Sequence, residues 1–522
     1  MKRQKLLRLC RSILAGLFFT GITLLLLDYS GVLVRYLGWM AKIQFLPAVL
    51  AVNLGVVAAV LLCTLLFGRI YCSVICPLGV WQDVVSHLAS KARPRRFNYS
   101  PDRRWLRTAA VVALVTGILS STSLLVALLA PYSSWGRIVT NLFQPLWGIV
   151  VNGISSLEER WGIYRTFPVE IWAKSLSGLI VAGLTFLLVS ILAWVKGRLW
   201  CNTVCPVGGV LGFTARWSLF KPVIDADKCI RCHKCEKNCK ASCISIPRQH
   251  IDASRCVDCF DCIAGCPVDA ISYIPAWKRK EEHHHHTGGR TGAPVPAGGA
   301  AAPTSGSGVD TTRRTLLGAL ALTLPLEALA QKTDGGLAVL EPRKAPRRST
   351  PLVPAGAVGL DNLSLRCTAC GLCISKCPEN VLRPSTKLDS LFQPTMAYDK
   401  GWCRPKCTLC SQVCPAGAIL PVKPEEKTAV HIGHAVWLKD NCLPFSQGTE
   451  CGNCARHCPA GAISMVRIGN SGLAGKGAVD EFLRIPVVNE DRCIGCGACE
   501  NLCPSRPFSA IYVEGHLKHR ID

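Results

Sequence analysis

Thirty-one of the 522 residues are cysteine, and twenty-four of them fall into six runs with the spacing of iron–sulfur ligands. Cys229, Cys232, Cys235 and Cys239 form the first run, and Cys256, Cys259, Cys262 and Cys266 the second. Four more lie toward the C-terminus: Cys367/Cys370/Cys373/Cys377, Cys403/Cys407/Cys410/Cys414, Cys442/Cys451/Cys454/Cys458 and Cys493/Cys496/Cys499/Cys503. A C-x-x-C-x-x-C loop wraps three thiolates round one cubane, and the cysteine of a following Cys-Pro ligates the partner cluster. Cys229, Cys232 and Cys235 with Cys266, and Cys256, Cys259 and Cys262 with Cys239, are therefore expected to hold two [4Fe-4S] clusters. The first run departs from the pattern, with Lys240 in place of proline and a further thiol, Cys243, four residues on. The remaining runs end in Cys-Pro. Two are stretched at their first gap, Cys403 to Cys407 and Cys442 to Cys451, yet each keeps C-x-x-C-x-x-x-C-P followed by Ala-Ile. Six [4Fe-4S] clusters are the expected inventory. Zinc also binds C-x-x-C pairs, but not as tandem triplets with Cys-Pro. Cys229 to His233 spells a c-type haem attachment sequence, which inside a complete ferredoxin run is coincidental.

A second cysteine pattern precedes these. GRIYCSVICPLG at 68–79 repeats as GRLWCNTVCPVG at 197–208. The i, i+4 spacing puts Cys72 with Cys76, and Cys201 with Cys205, on one helical face. Packing of the repeats about a pseudo-two-fold axis would gather all four, either as a metal or redox group or as reduced structural thiols. Residues 1–220 hold a single histidine, His87, so a bis-histidine haem is not available. Cys10, Cys63 and Cys243 are left over. No nucleophile, carboxylate pair or phosphate loop stands out, so no residue is assigned a catalytic role. One-electron transfer is the chemistry in view.

These thiols must be positioned by elements of two kinds. Apolar runs at 11–27, 45–67, 106–130 and 172–195 are long enough to cross about 30 Å of hydrocarbon as helices. The expected fold is a membrane α-helical bundle of four transmembrane helices plus α+β ferredoxin-like iron–sulfur modules. Net charge is +25, and much of it flanks the apolar runs. No base-reading motif accompanies it, so nucleic acid is not an expected partner. The N-terminal tail and residues 68–105 carry most of the basic residues near the helices, which places them, and the module after residue 195, in the cytoplasm. The domain plan is a helical domain at 1–220, a two-cluster module at 221–280, a flexible linker at 281–310 and a four-cluster domain at 360–522, reached through a Pro-rich stretch at 332–359. Between the linkers, 311–331 carries Arg313-Arg314, a short apolar run and Ala328-Leu329-Ala330, the marks of a twin-arginine export signal. That signal would place the last domain in the periplasm.

In combination these motifs resemble two ferredoxin-type families joined head to tail. The helical domain with its two C-x-x-x-C-P repeats and the following two-cluster module is similar to NapH and MauN. The segment from the twin arginines onward, with its C-x3-C and C-x8-C gaps, is similar to NapG and MauM. The resemblance implies a multi-pass protein of the bacterial inner membrane. It would take electrons from the quinol pool, oxidising quinol at the helical domain, and pass them to a periplasmic redox partner such as a nitrate reductase or another dehydrogenase system. It also implies that the last four runs pair in a nested way, first with fourth and second with third. Two other readings stay open: a non-catalytic maturation factor for a metalloenzyme, and a six-cluster relay lying wholly in the cytoplasm.

Overall fold

A computed structural model describes residues 2–92, 97–120, 122–162, 164–172, 174–275, 345–467 and 483–522. The 281–310 linker, the twin-arginine segment and the first part of the Pro-rich stretch lie outside the described residues. Helices dominate the first 220 residues: α1 (Lys2–Leu27), α2 (Val32–Lys42), α3 (Phe45–Leu50), α4 (Leu54–Phe67), α5 (Ile70–Val74), α6 (Pro77–Ala92), α7 (Arg104–Leu119), α8 (Ser123–Leu129), α9 (Pro131–Ile138), α10 (Gln144–Arg160), α11 (Leu176–Lys196), α12 (Leu199–Thr203) and α13 (Pro206–Thr214). Among the described residues, only two helices are long and apolar enough to cross a membrane, Leu6–Leu27 and Leu176–Lys196. Both leave apolar side chains at the surface, among them Leu17 on α1 and Leu184, Leu187 and Ile191 on α11.

The expectation of four continuous spans is corrected here. The 45–67 run breaks into α3 and α4, because Val52 takes a left-handed conformation (φ 55°) and the Asn53 side chain accepts from the Val56 N–H at 3.2 Å, capping α4 as a new helix. A side-chain cap at this point satisfies an N–H that a continuous helix would have bonded internally. The 106–130 run ends as α7 at Leu119 and restarts as α8 at Ser123. Around the break, the Ser120 hydroxyl donates to the Thr116 carbonyl at 2.7 Å and the Thr122 N–H to the Gly117 carbonyl at 3.0 Å. Such local bonds compete with helix continuation.

The repeat seen in the sequence is a repeat of structure. Each copy runs from a long apolar helix (α4 or α11) through a glycine into a short helix (α5 or α12), then through Cys-Pro into a further helix (α6 or α13). The glycines, Gly68 (φ 75°) and Gly197 (φ 64°), occupy a region that disfavours a Cβ. Gly197 also lies against the Lys240 backbone, with an added Cβ 2.4 Å from its carbonyl oxygen.

The cysteine-rich segments fold as short helices and two-stranded antiparallel sheets. In residues 220–275, β1 (Phe220–Ile224) pairs with β4 (Ile271–Pro275), and β2 (Ile244–Ser245) with β3 (His250–Ile251). In the last domain, β5 (Leu382–Pro384) pairs with β6 (Pro394–Met396), β7 (Val430–Trp437) with β10 (Ile511–Ile521), and β8 (Ile463–Arg467) with β9 (Arg484–Val488). The α+β character expected of these modules is present.

The two modules contact opposite ends of α1. Near its start, Arg8 pairs with Asp261 at 2.9 Å. Just past its end, Asp28 pairs with Lys376 at 3.0 Å. Twenty residues at 1.5 Å each separate these contacts by about 30 Å along the helix, close to a hydrocarbon thickness. Burial opposes ionisation of Asp28, but Ser30 and Lys376 outweigh it and hold the carboxyl below its usual range. The last domain also meets α9, where a Cβ on Gly136 would sit 2.2 Å from the Cys370 carbonyl oxygen. Gly136→Val is expected to weaken this seam by about 1–3 kcal/mol through overpacking, read as faster tryptic release of the last domain from the solubilised protein.

Candidate iron–sulfur centres and the paired thiols of the repeat

Four of the six runs share one backbone device. The residues on either side of the middle cysteine are left-handed: Arg231 and His233, Asp258 and Phe260, Ala369 and Gly371, Gly495 and Gly497. Turns of this kind aim successive N–H groups into a concavity that suits an anion, and a cubane carrying four thiolates is one. A second left-handed residue stands three positions after each of four Cys-Pro cysteines: Asp269, Asn380, Gly417 and Gly461. In two of these turns the next N–H, of Ala270 or Ala462, donates to the sulfur of Cys266 or Cys458 at 3.3 Å. The Ala-Ile that follows Cys-Pro thus has a structural use. The stretched runs do without the first device, since Thr408 (φ −123°) and Gly452 (φ −168°) follow their middle cysteines.

The cysteines gather in cages. Cys229, Cys232, Cys235 and Cys266 line one cavity. Cys256, Cys259, Cys262 and Cys239 line another, together with Cys243, whose sulfur is 3.5 Å from that of Cys239. These groupings match the exchange of fourth cysteines expected for a two-cluster module. In the last domain Cys367, Cys370 and Cys373 share a cavity with Cys414, and Cys442, Cys451 and Cys454 share one with Cys503. Cys377 neighbours Cys403, Cys407 and Cys410, and Cys458 neighbours Cys493, Cys496 and Cys499. The nested pairing is therefore corrected: the first run exchanges with the second and the third with the fourth. The two halves meet where the Cys403 N–H donates to the Cys496 carbonyl at 2.9 Å.

In donor type and number each cage suits a [4Fe-4S] cluster. In the cage of the second run, burial, reinforced by Cys403, pushes the Cys410 thiol up to about 12. Lys427 works against this. Its ammonium, largely buried, donates to the Cys403 sulfur at 3.2 Å and to the carbonyls of Arg404 and Cys407 at 2.6 Å each. Nothing in the sequence around Lys427 marks it, because it reaches the run from seventeen residues beyond Cys410. Charge beside a cluster tunes its potential, so Lys427→Met should make the reduction potential of this centre more negative, as read by a redox titration followed by electron paramagnetic resonance.

The four C-x-x-x-C-P thiols are buried and converge between the repeats, as the pseudo-symmetry predicts. Their guanidinium neighbours cross over reciprocally. Arg69 of the first copy donates to the Cys201 carbonyl at 3.3 Å, and Arg198 of the second to the Cys72 carbonyl at 2.6 Å. Arg69 also lies 3.8 Å from the Cys72 sulfur, and Gln82 donates to the Cys201 sulfur at 3.2 Å. Arg69 further donates to the Ser254 carbonyl at 3.1 Å, which brings the second cysteine run to this site. Beside it Asp83 gathers Arg11 at 2.9 Å, Arg198 at 2.8 Å and Lys240 at 3.2 Å. Burial alone would raise the Asp83 carboxyl, but Arg198, Lys240 and Arg11 hold it far below the usual carboxylate range. Lys240, which replaces the expected proline, thus ties the first module to the helical domain.

The methylamine utilization ferredoxin-type protein MauM of Methylophilus methylotrophus is 34% identical over 180 residues, covering 32% of this chain and 72% of MauM. The ferredoxin-type protein NapG of Escherichia coli is 34% identical over 183 residues, covering 33% of this chain and 77% of NapG. The chain belongs to the NapG/MauM family of ferredoxin-type proteins. A further family member, MauM of Methylorubrum extorquens, is 31% identical over 206 residues, covering 38% of this chain and 81% of its own length. A profile of 4Fe-4S dicluster domains matches 366–431 and 449–506, each taking in one exchanged pair of runs, apart from Cys442. A profile of 4Fe-4S binding domains matches 49–96 and 178–224, one on each copy of the C-x-x-x-C-P repeat. No solved structure matches the chain. The protein is an iron–sulfur electron-transfer protein.

Proposed function

We propose that the chain is a membrane-bound fusion of a NapH/MauN-type half and a NapG/MauM-type half that moves electrons from quinol to a periplasmic oxidoreductase. Six [4Fe-4S] clusters are held by the twenty-four cysteines of the six cages, grouped as described. The observation that carries this reading is the placement of cages at both ends of α1, about 30 Å apart. A relay lying wholly in the cytoplasm would leave no reason for that separation. The broken helices α3–α4 and α7–α8 complete the helical domain beside the two continuous ones.

Within the last domain the neighbours define an order. The first run lies against α9, the second beside it, then the fourth across the Cys403–Cys496 contact, and the third farthest along. Each bound cluster exchanges one electron, and the protein fixes its position, hydrogen bonding and dielectric. The third run is the exit toward a partner of nitrate reductase or dehydrogenase type. The two cages of the first module and the four paired thiols mark the inner end, and quinone diffusing in the bilayer links the two faces. Protease protection in oriented vesicles tests the topology: cleavage of the last domain from the outside supports it, and protection there sinks the exported arrangement.

A further inference from the structure

A cavity that is not a cysteine cage lies between the helical domain and the last domain, on the side proposed above as the outer one. It measures about 420 Å³ and is formed by Tyr29, Gln144, Ile171 and Trp172 on one wall, and Cys377 and Lys400 on the other. That volume falls in the range of small-molecule sites, and its lining is mostly polar, with Glu170, Lys174, Glu379 and Lys400 set round the rings of Tyr29 and Trp172. Here the polar groups are fixed. The Gln144 side-chain oxygen accepts from Lys174 Nζ at 2.8 Å and its backbone oxygen from the Tyr29 hydroxyl at 2.7 Å. Asn152 holds the return of the chain in place by a reciprocal pair of hydrogen bonds to the Val169 backbone, at 2.7 and 2.9 Å.

The cavity adjoins an apolar surface. Gln144 and Pro145 begin α10, which leaves Leu146, Val150, Ile154 and Leu157 exposed at helical spacing, and Trp161 and Phe167 follow in the loop. A lipid-soluble molecule with a polar aromatic head would reach the cavity along that face. At the other wall stands Cys377, the thiol that the second run shares.

We propose that this cavity is the site where the head of a quinol binds and is oxidised, an assignment that rests on the quinol-oxidising reading above. A bound diol becomes the quinone by giving up two protons and two electrons. The protons leave toward Glu170 and the outer water. The electrons pass singly to the iron–sulfur acceptors held through Cys377 and the adjoining Cys414 cage.

Photoaffinity labelling of the full-length protein in lipid nanodiscs with an azido-naphthoquinone tests the site without any substitution. The expected label falls on 168–174 or on 375–380 and is displaced by menadione; a label confined to other peptides overturns the assignment. A second arm fills the cavity with Ile171→Trp. Menadiol should then reduce the clusters about tenfold more slowly, the equivalent of about 1.4 kcal/mol, while dithionite produces the same paramagnetic signal as in the parent protein. An unchanged menadiol rate in a fully loaded variant overturns the site. A parent protein that menadiol does not reduce at all defeats the quinol reading itself, a result distinct from a misplaced label.

Discussion

Asp83→Ala should destabilise the protein by about 3–5 kcal/mol, the cost of removing one partner from a buried ion-pair group and leaving the others uncompensated. Three cations depend on this carboxylate. Arg11 comes from α1, Arg198 from the second repeat and Lys240 from the first cysteine run, and the side chains of all three are less than a tenth exposed. The loss should therefore appear in several places at once: a lower midpoint of thermal unfolding in detergent and earlier protease cleavage within residues 221–275. Asp83→Asn keeps the shape and tests the charge alone. A change under about 1 kcal/mol in either variant would mean that the group behaves like an exposed pair and that the module is held by other contacts.

Cys414→Ser is expected to remove the centre of the first run, not that of its own. A chain loaded with six cubanes carries about 24 irons, and this variant should lose about four. The pairing makes the test specific, because mutations at one centre do not add. Cys370→Ser combined with Cys414→Ser should lose no more iron than either alone. Cys410→Ser combined with Cys414→Ser should lose about eight irons. Nested pairing predicts about eight irons lost from the Cys370/Cys414 double variant as well, with Cys414 and Cys454 acting as the pair that fails to add.

The candidate ligand loops were legible in the sequence because a ferredoxin loop is local: three thiols and their turns typically lie within about ten residues. The repeat was legible for the same reason. The partner of each Cys-Pro cysteine in the last domain was not, since the spacings allow several exchanges and only the chain path, with Cys403 against Cys496, separates them. The helix breaks were signalled by Val52-Asn53 and by the Ser/Thr stretch at 120–123, but a hydropathy window spans both interruptions without registering them. Lys427, the Asp83 group and the outer cavity each join residues from distant parts of the chain, so no local pattern announces them. Lys240 was visible as a departure from the motif. Its reason, an ion pair to Asp83, was visible only in three dimensions.

The central claim, that quinol feeds the clusters of this chain, is tested most directly by rapid anaerobic mixing of menadiol with the fully loaded protein in nanodiscs. Loss of the visible iron–sulfur absorbance without added reductase is the result this account predicts. A protein with its full iron content that dithionite reduces and menadiol leaves oxidised would contradict it.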